Sequence, residues 1–181
     1  INARAEKFEY FKGIETEFPV SDEMFQATEE YLSNPEGAGF AVAMINGMRR
    51  KVLELVARDK EFGLITEGMR QTMQAVVKIR EFVELLKSKD NGGACKDIVA
   101  EADAIVNSAD MKWLTPQAAE GKLGLFSILM FDYRLRHKCI EKMQQLIKLM
   151  YEFDVLLCVG AIARRRGFTK AIALEGENHI L

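Results

Sequence analysis

The 181-residue chain has little of what breaks a helix or binds a metal. Its three prolines, at positions 19, 35 and 116, leave long stretches in which a helix can run uninterrupted. Cys95, Cys139 and Cys158 form no CxxC pair, and only His137 and His179 stand beside them. Such a set cannot supply the closely spaced soft ligands of a structural zinc site. Three buried thiols in a reducing cytosol are expected instead. No apolar run approaches the roughly 20 residues that a bilayer-spanning helix needs, so no membrane contact is expected. The formal net charge of −2 excludes a whole-domain attraction to nucleic acid or to an anionic membrane. Any such contact must come from a local patch. The first residue is Ile1, with no initiator Met and no charged-then-apolar leader. An excised piece of a larger cytoplasmic protein is therefore expected, and not a secretory precursor.

What remains is apolar and helical. Hydrophobic residues make up 49% and charged residues 29%, a balance that builds a globular core and argues against disorder. Ala3 to Lys12 reads as a short amphipathic helix ended by Gly13. Ser21 caps a helix through Leu32, with Asp22 and Glu23 in the first turn, where the helix dipole favours acids. Asn34 to Gly37 is a turn. A helix from about Phe40 to Lys60 places Met44, Met48, Val52, Leu55 and Val56 at helical steps. Gly63 allows a break before a helix from Leu64 to Lys87, and Asp90 to Gly93 marks its stop. Ala94 to Asn107 follows, and Thr115-Pro116 reads as an N-cap with proline at the first helical position.

From Gly124 to Arg166 there is no proline, and Gly160 is the only later glycine. Cys139, Met143, Leu146, Met150, Phe153, Leu157 and Gly160 alternate four- and three-residue steps, a heptad-like seam. One helix from about Leu125 to about Arg166 is expected, with Gly160 as its one kink. Only Ala171 to Leu174 shows a strand-like pattern. The expected fold is all-α, an elongated helical bundle with one long C-terminal helix, in a single domain over residues 1–181.

The stretch YEFDVLLCVGAIARRRGF, Tyr151 to Phe168, concentrates the candidate functional residues. Arg164, Arg165 and Arg166, with Lys170, could contact DNA phosphates, because guanidinium forks match phosphate geometry. Capping of the helix is the preferred reading, since cations favour its C-terminus and Gly167 supplies the left-handed residue after it. Asp154 lies inside an apolar run, and a pairing with Arg or Lys on a neighbouring helix is expected. Arg134, Arg136, His137, Lys138 and Lys142 spread around a helix and read as a solvated face. Ala119 to Gly124 lacks the first glycine and the Ser or Thr of a phosphate loop. The methionines at helical spacing read as core gap-fillers. No constellation supports catalysis, so the chain is not expected to be an enzyme and needs no cofactor of its own.

Ile147 to Ala163, followed by Gly167-Phe168, resembles the end of the helical core, or lever, domain of the MutS family of mismatch-repair ATPases. There a long helix carries a pattern like (I/L)Y-(E/D)-L-D-(V/A)-L…(I/V)A, then a basic stretch, a Gly-aromatic pair and the ATPase domain. Tyr151, Asp154, Val155, Ala161 and Ala163 fit it, with Phe153 where Leu is usual. Arg4 to Phe11 is similar to the start of the same domain. Phe131 to Arg136 resembles a segment of shorter MutS-like proteins that lack the mismatch-reading part.

The resemblance implies a non-catalytic lever domain that couples DNA-contacting parts to a downstream ATPase domain, with Tyr151, Asp154 and Gly167 as structural residues of the lever. It also implies DNA as a partner of the parent protein, ATP and Mg bound beyond Leu181, and a possible homodimer. The family's DNA clamp has no room between Lys89 and Pro116. The alternative reading is a helical interaction or sensor module whose Met-rich groove binds a partner helix.

Overall fold

A computed structural model describes residues 7, 9–33, 39–58, 60–89 and 95–169. They form an all-α bundle, with no strand among the described residues. After a helical turn over residues 9–12 come α1 (Asp22–Ser33), α2 (Phe40–Ala57), α3 (Glu61–Lys89) and α4 (Lys96–Val106). The short α5 (Pro116–Glu120) and α6 (Leu125–Tyr133) follow, then a π turn (Arg134–Lys138) and the long α7 (Ile140–Arg166). The expected stops at Asn34 to Gly37 and Asp90 to Gly93, and the strand-like Ala171 to Leu174, lie outside the described residues.

Helix α3 is the hub and packs against α1, α2, α4, α5 and α6. Its residues Met69, Met73, Val76, Ile79, Val83 and Leu86 recur at helical steps and are sealed from solvent. The heptad-like seam of α7 is buried along its whole length, from Cys139 through Phe153 to Gly160. Phe153 packs its ring against Phe82 of α3 at 5.5 Å and against Phe11 of the N-terminal turn at 6.3 Å. Three distant parts of the chain thus share one apolar cluster. Met69, Met73, Met111, Met143 and Met150 are all enclosed, so their flexible side chains do fill core gaps.

Local chemistry sets several boundaries as the sequence implies. The Ser21 Oγ accepts the Met24 N–H at 3.3 Å, and the Thr115 Oγ accepts the Ala118 N–H at 3.2 Å. Arg80 of α3 donates to the carbonyls of Val106, Met111 and Leu114, closing the end of α4. Burial lowers its pKa from the usual arginine value.

Two boundaries differ from expectation. The break after α2 falls at Arg58, whose φ of 55° is left-handed, and Gly63 lies inside α3. The single helix expected from Leu125 to Arg166 is interrupted. At Arg134–Lys138 the backbone widens into a π turn, closed by the Cys139 N–H on the Arg134 carbonyl at 2.8 Å. Within this turn the adjacent Leu135 and Arg136 both face inward. The uninterrupted part, α7, has 27 residues and spans about 40 Å.

Candidate functional site

Of the residues singled out in the sequence, Gly160, Arg164 and Gly167 lie where α7 ends against the N-terminal segment. Gly167 adopts φ 67°, and two hydrogen bonds close the helix. The Phe168 N–H reaches the Ala163 carbonyl at 2.9 Å and the Gly167 N–H reaches that of Arg164 at 3.3 Å. This is the paired-bond C-terminal motif that a left-handed glycine permits.

Gly160, expected as a kink, is a contact point within a continuous helix. A Cβ there would lie 2.7 Å from the Phe11 carbonyl carbon and oxygen and 2.9 Å from the Lys12 nitrogen. Only glycine lets the N-terminal segment approach α7 so closely.

Arg164 binds this segment too. Its guanidinium donates to the carbonyls of Lys12 and Ile14, both at 3.0 Å. In return the Lys12 Nζ donates to the Phe168 carbonyl at 2.7 Å. Arg164 therefore acts on the end of the N-terminal helical turn and not on the end of its own helix. Further along α7, Lys7 pairs with Glu152 at 3.0 Å.

The other candidate residues of the stretch are on the surface. Arg165 and Arg166 are exposed in the last turn, and Lys170 lies outside the described residues. Tyr151 stacks edge-on against Phe25 of α1 at 4.5 Å and donates its hydroxyl to Glu29 at 2.8 Å, which raises its pKa. Asp154 departs from expectation. It is exposed, makes no ion pair among the described residues, and accepts a long contact of 3.8 Å from the Cys158 thiol. The apolar run around it is only half buried, so its carboxylate reaches water. Cys158 is exposed as well, whereas Cys95 and Cys139 are buried. Partial burial, then the Asp154 charge, raises the Cys158 pKa.

The π turn builds a second cluster that the sequence did not flag. Arg136, expected on a solvated face, is 6% exposed. Its Nε lies 3.3 Å from the Asp132 carboxylate, and its guanidinium covers the Tyr31 ring at 4.3 Å. The Tyr31 hydroxyl donates to the same carboxylate at 2.7 Å. Burial, followed by the Asp132 charge, pushes the Tyr31 pKa well above its usual value. The neighbouring side chains of the basic stretch are also engaged. Arg134 lies over Trp113, His137 stacks on Tyr133, and Lys142 pairs with Asp110 at 2.6 Å. The spacing of Asp132 and Arg136, four residues apart, hinted at the ion pair. Nothing local pointed to Tyr31.

Beside Arg136 lies an open depression of about 340 Å³, lined by Tyr31, Leu64 and Ile65 with Glu30 and Glu67 at its edge. Its one cation, Arg136, is already engaged with Asp132 and Tyr31. Among the described residues, no group of three His, Cys, Asp or Glu could hold a metal, and no helix is long and apolar enough to cross a membrane. Hydrogen bonds and a glycine contact hold the N-terminal segment against the end of the long helix α7. Compared with known proteins, the chain matches no family model, no curated protein and no solved structure.

Proposed function

We propose that this chain is the non-catalytic core, or lever, domain of a MutS-like DNA-repair ATPase, coupling DNA-contacting parts to a downstream ATPase domain. The observation that carries the reading is the coincidence of two features at one place. The segment that resembles the family, Ile147 to Ala163 followed by Gly167-Phe168, includes or borders the residues that clamp α7, Gly160 and Arg164. A helix about 40 Å long, packed along its seam and fastened at its end, moves as a unit and can pass a rigid-body shift along its axis. Gly167 ends the helix at the fastening, Tyr151 ties α7 to α1 through Phe25 and Glu29, and Asp154 faces water. Arg164 is occupied by carbonyls, which leaves Arg165 and Arg166 as the cations of this stretch, with Lys170, to meet DNA. ATP and Mg would bind in the ATPase domain, and the parent protein would work in the cytoplasm.

The test compares the chain with its natural full-length protein. Full-length protein should hydrolyse ATP, while the chain alone should not. The chain should bind duplex DNA weakly and without preference for a mismatch, and that binding should fade steeply with salt, because few phosphates are neutralised. Absence of ATP turnover in the full-length protein, or mismatch preference in the chain alone, would refute the reading. A second reading, a module that binds a partner helix, draws on a different observation: α2 exposes Val42, Ile45, Met48, Val52, Leu55 and Val56.

A further inference from the structure

The π turn at Arg134–Lys138 stands between two unequal parts of the bundle. On one side, α7 is embedded in the main core through Met143, Leu146, Met150 and Phe153. On the other, α6 joins α2 around a satellite core whose buried members, among the described residues, are Met44, Leu129 and Phe62 of α3. Helices α2 and α6 are closely coupled to each other. A Cβ on Gly47 of α2 would lie 2.2 Å from a Leu129 methyl carbon of α6, and the rings of Phe40 and Tyr133 meet edge-on at 5.1 Å. Their tie to α3 includes a surface ion pair, Arg50 to Glu61 at 3.1 Å. A unit with so few buried apolar contacts opens at low free energy.

Nothing in the local sequence asks for a break at the π turn, since there is no proline or glycine from Leu125 to Val159. The contacts at the turn come instead from three elements. Tyr31 of α1 donates to Asp132 of α6 at 2.7 Å. Arg136 of the turn lies 3.3 Å from the same carboxylate and over the Tyr31 ring.

We propose that the π turn is a two-state joint about which α2 and α6 swing together, and that Tyr31, Asp132 and Arg136 latch it in the state seen. A π turn closes its hydrogen bond over one residue more than an α turn, here from the Cys139 N–H to the Arg134 carbonyl. The helices on either side keep the phase they would have if that residue were absent. Relaxed to α geometry, residues 125–166 become one helix, and α6 turns by about 100° and shifts by about 1.5 Å against α7. Its companion α2, one helix spacing of about 8–10 Å away, is carried through about 12–15 Å. Packed elements switch between discrete arrangements of this kind and do not deform gradually. Because Tyr31 sits on α1, a displacement of α1 releases the joint, so the position of one helix sets that of two others. The device does not depend on the lever reading, in which α7 itself stays rigid.

Spin labels at Leu55→Cys on α2 and Lys148→Cys on α7, both exposed positions, test it in a Cys158→Ser background, where Cys95 and Cys139 are buried. Double electron–electron resonance should give one label separation in that background. Tyr31→Phe removes only the latch hydroxyl and Asp132→Asn only the charge, so helicity should be retained while a second separation appears in each. Deleting His137 as well takes out the residue that the π turn absorbs. An α turn then joins α6 to α7 without rotation, and both latch variants should return to the single original separation. An unchanged single separation in both latch variants overturns the proposal. So does a second separation that survives the deletion, because the movement would then lie elsewhere. If Asp132→Asn loses helicity, Tyr31→Phe decides alone.

Discussion

Replacing Gly160 by alanine sets two effects against each other, and the structure decides the sign. Alanine in a helix interior is favoured over glycine by about 1 kcal/mol. The added Cβ, however, would meet the Phe11 carbonyl at 2.7 Å and the Lys12 nitrogen at 2.9 Å. Both obstacles are backbone, so no side chain can swing aside, and overpacking of this kind costs about 3 kcal/mol, the upper end of its usual range. Release of the N-terminal segment limits the loss, because exposing the fully buried Phe11 costs a similar 2–3 kcal/mol or so.

The net destabilisation is therefore about 2 kcal/mol, a fall of roughly 4–8 °C in Tm for a chain of this length. Thermal unfolding measures it, and faster tryptic cleavage after Lys7 and Lys12 reports the released segment. Gly63→Ala is the control. Its Cβ would meet only the Glu54 carboxylate at 3.5 Å, so it should leave Tm unchanged or raise it. A Tm that rises in Gly160→Ala as it does in Gly63→Ala would refute the clamp.

Arg164→Ala removes both bonds to the Lys12 and Ile14 carbonyls and should cost about 1 kcal/mol in urea unfolding, whereas Arg165→Ala should stay within about 0.5 kcal/mol. Equal effects would return the arginines to a shared role. Asp132→Ala removes the carboxylate facing the buried Arg136 guanidinium and should cost about 3 kcal/mol, compared with under about 1 kcal/mol for the partly exposed Lys142→Ala. In alkylation near pH 8, Cys158 should react well before the buried Cys95 and Cys139. Its raised pKa holds back the thiolate, so Asp154→Asn, by removing a negative charge, should lower that pKa and speed the reaction. A slower reaction in Asp154→Asn would show that the charge does not reach the thiol.

Periodicity and capping chemistry made most of the fold legible. The seam from Cys139 to Gly160 is buried as a unit because its period matches one helix face. Ser21, Thr115 and Gly167 act through their own backbone neighbours, so their roles could be read locally. The failures involve partners far away in sequence. Arg136 is buried because a π turn rotates it toward Tyr31, and no residue in the Arg134–Lys138 run demands such a turn. The contact of Gly160 is with Phe11, and the partners of Arg164 are Lys12 and Ile14. A sequence reading sees a glycine and a cation near a helix end and assigns both to that helix. The apolar residues of α2 were legible as a helix pattern, but their period does not say which stripe finds the core.

The central claim is that α7 transmits between DNA and a nucleotide site through its clamped end. It is tested most directly by ATP turnover of the full-length protein, with and without duplex DNA, in wild type and Gly160→Ala at a temperature where both are folded. The account predicts DNA-stimulated turnover in the wild type. In the variant, basal turnover should persist while the stimulation is lost. Stimulation of equal size in both proteins, or no response to DNA in either, would contradict it.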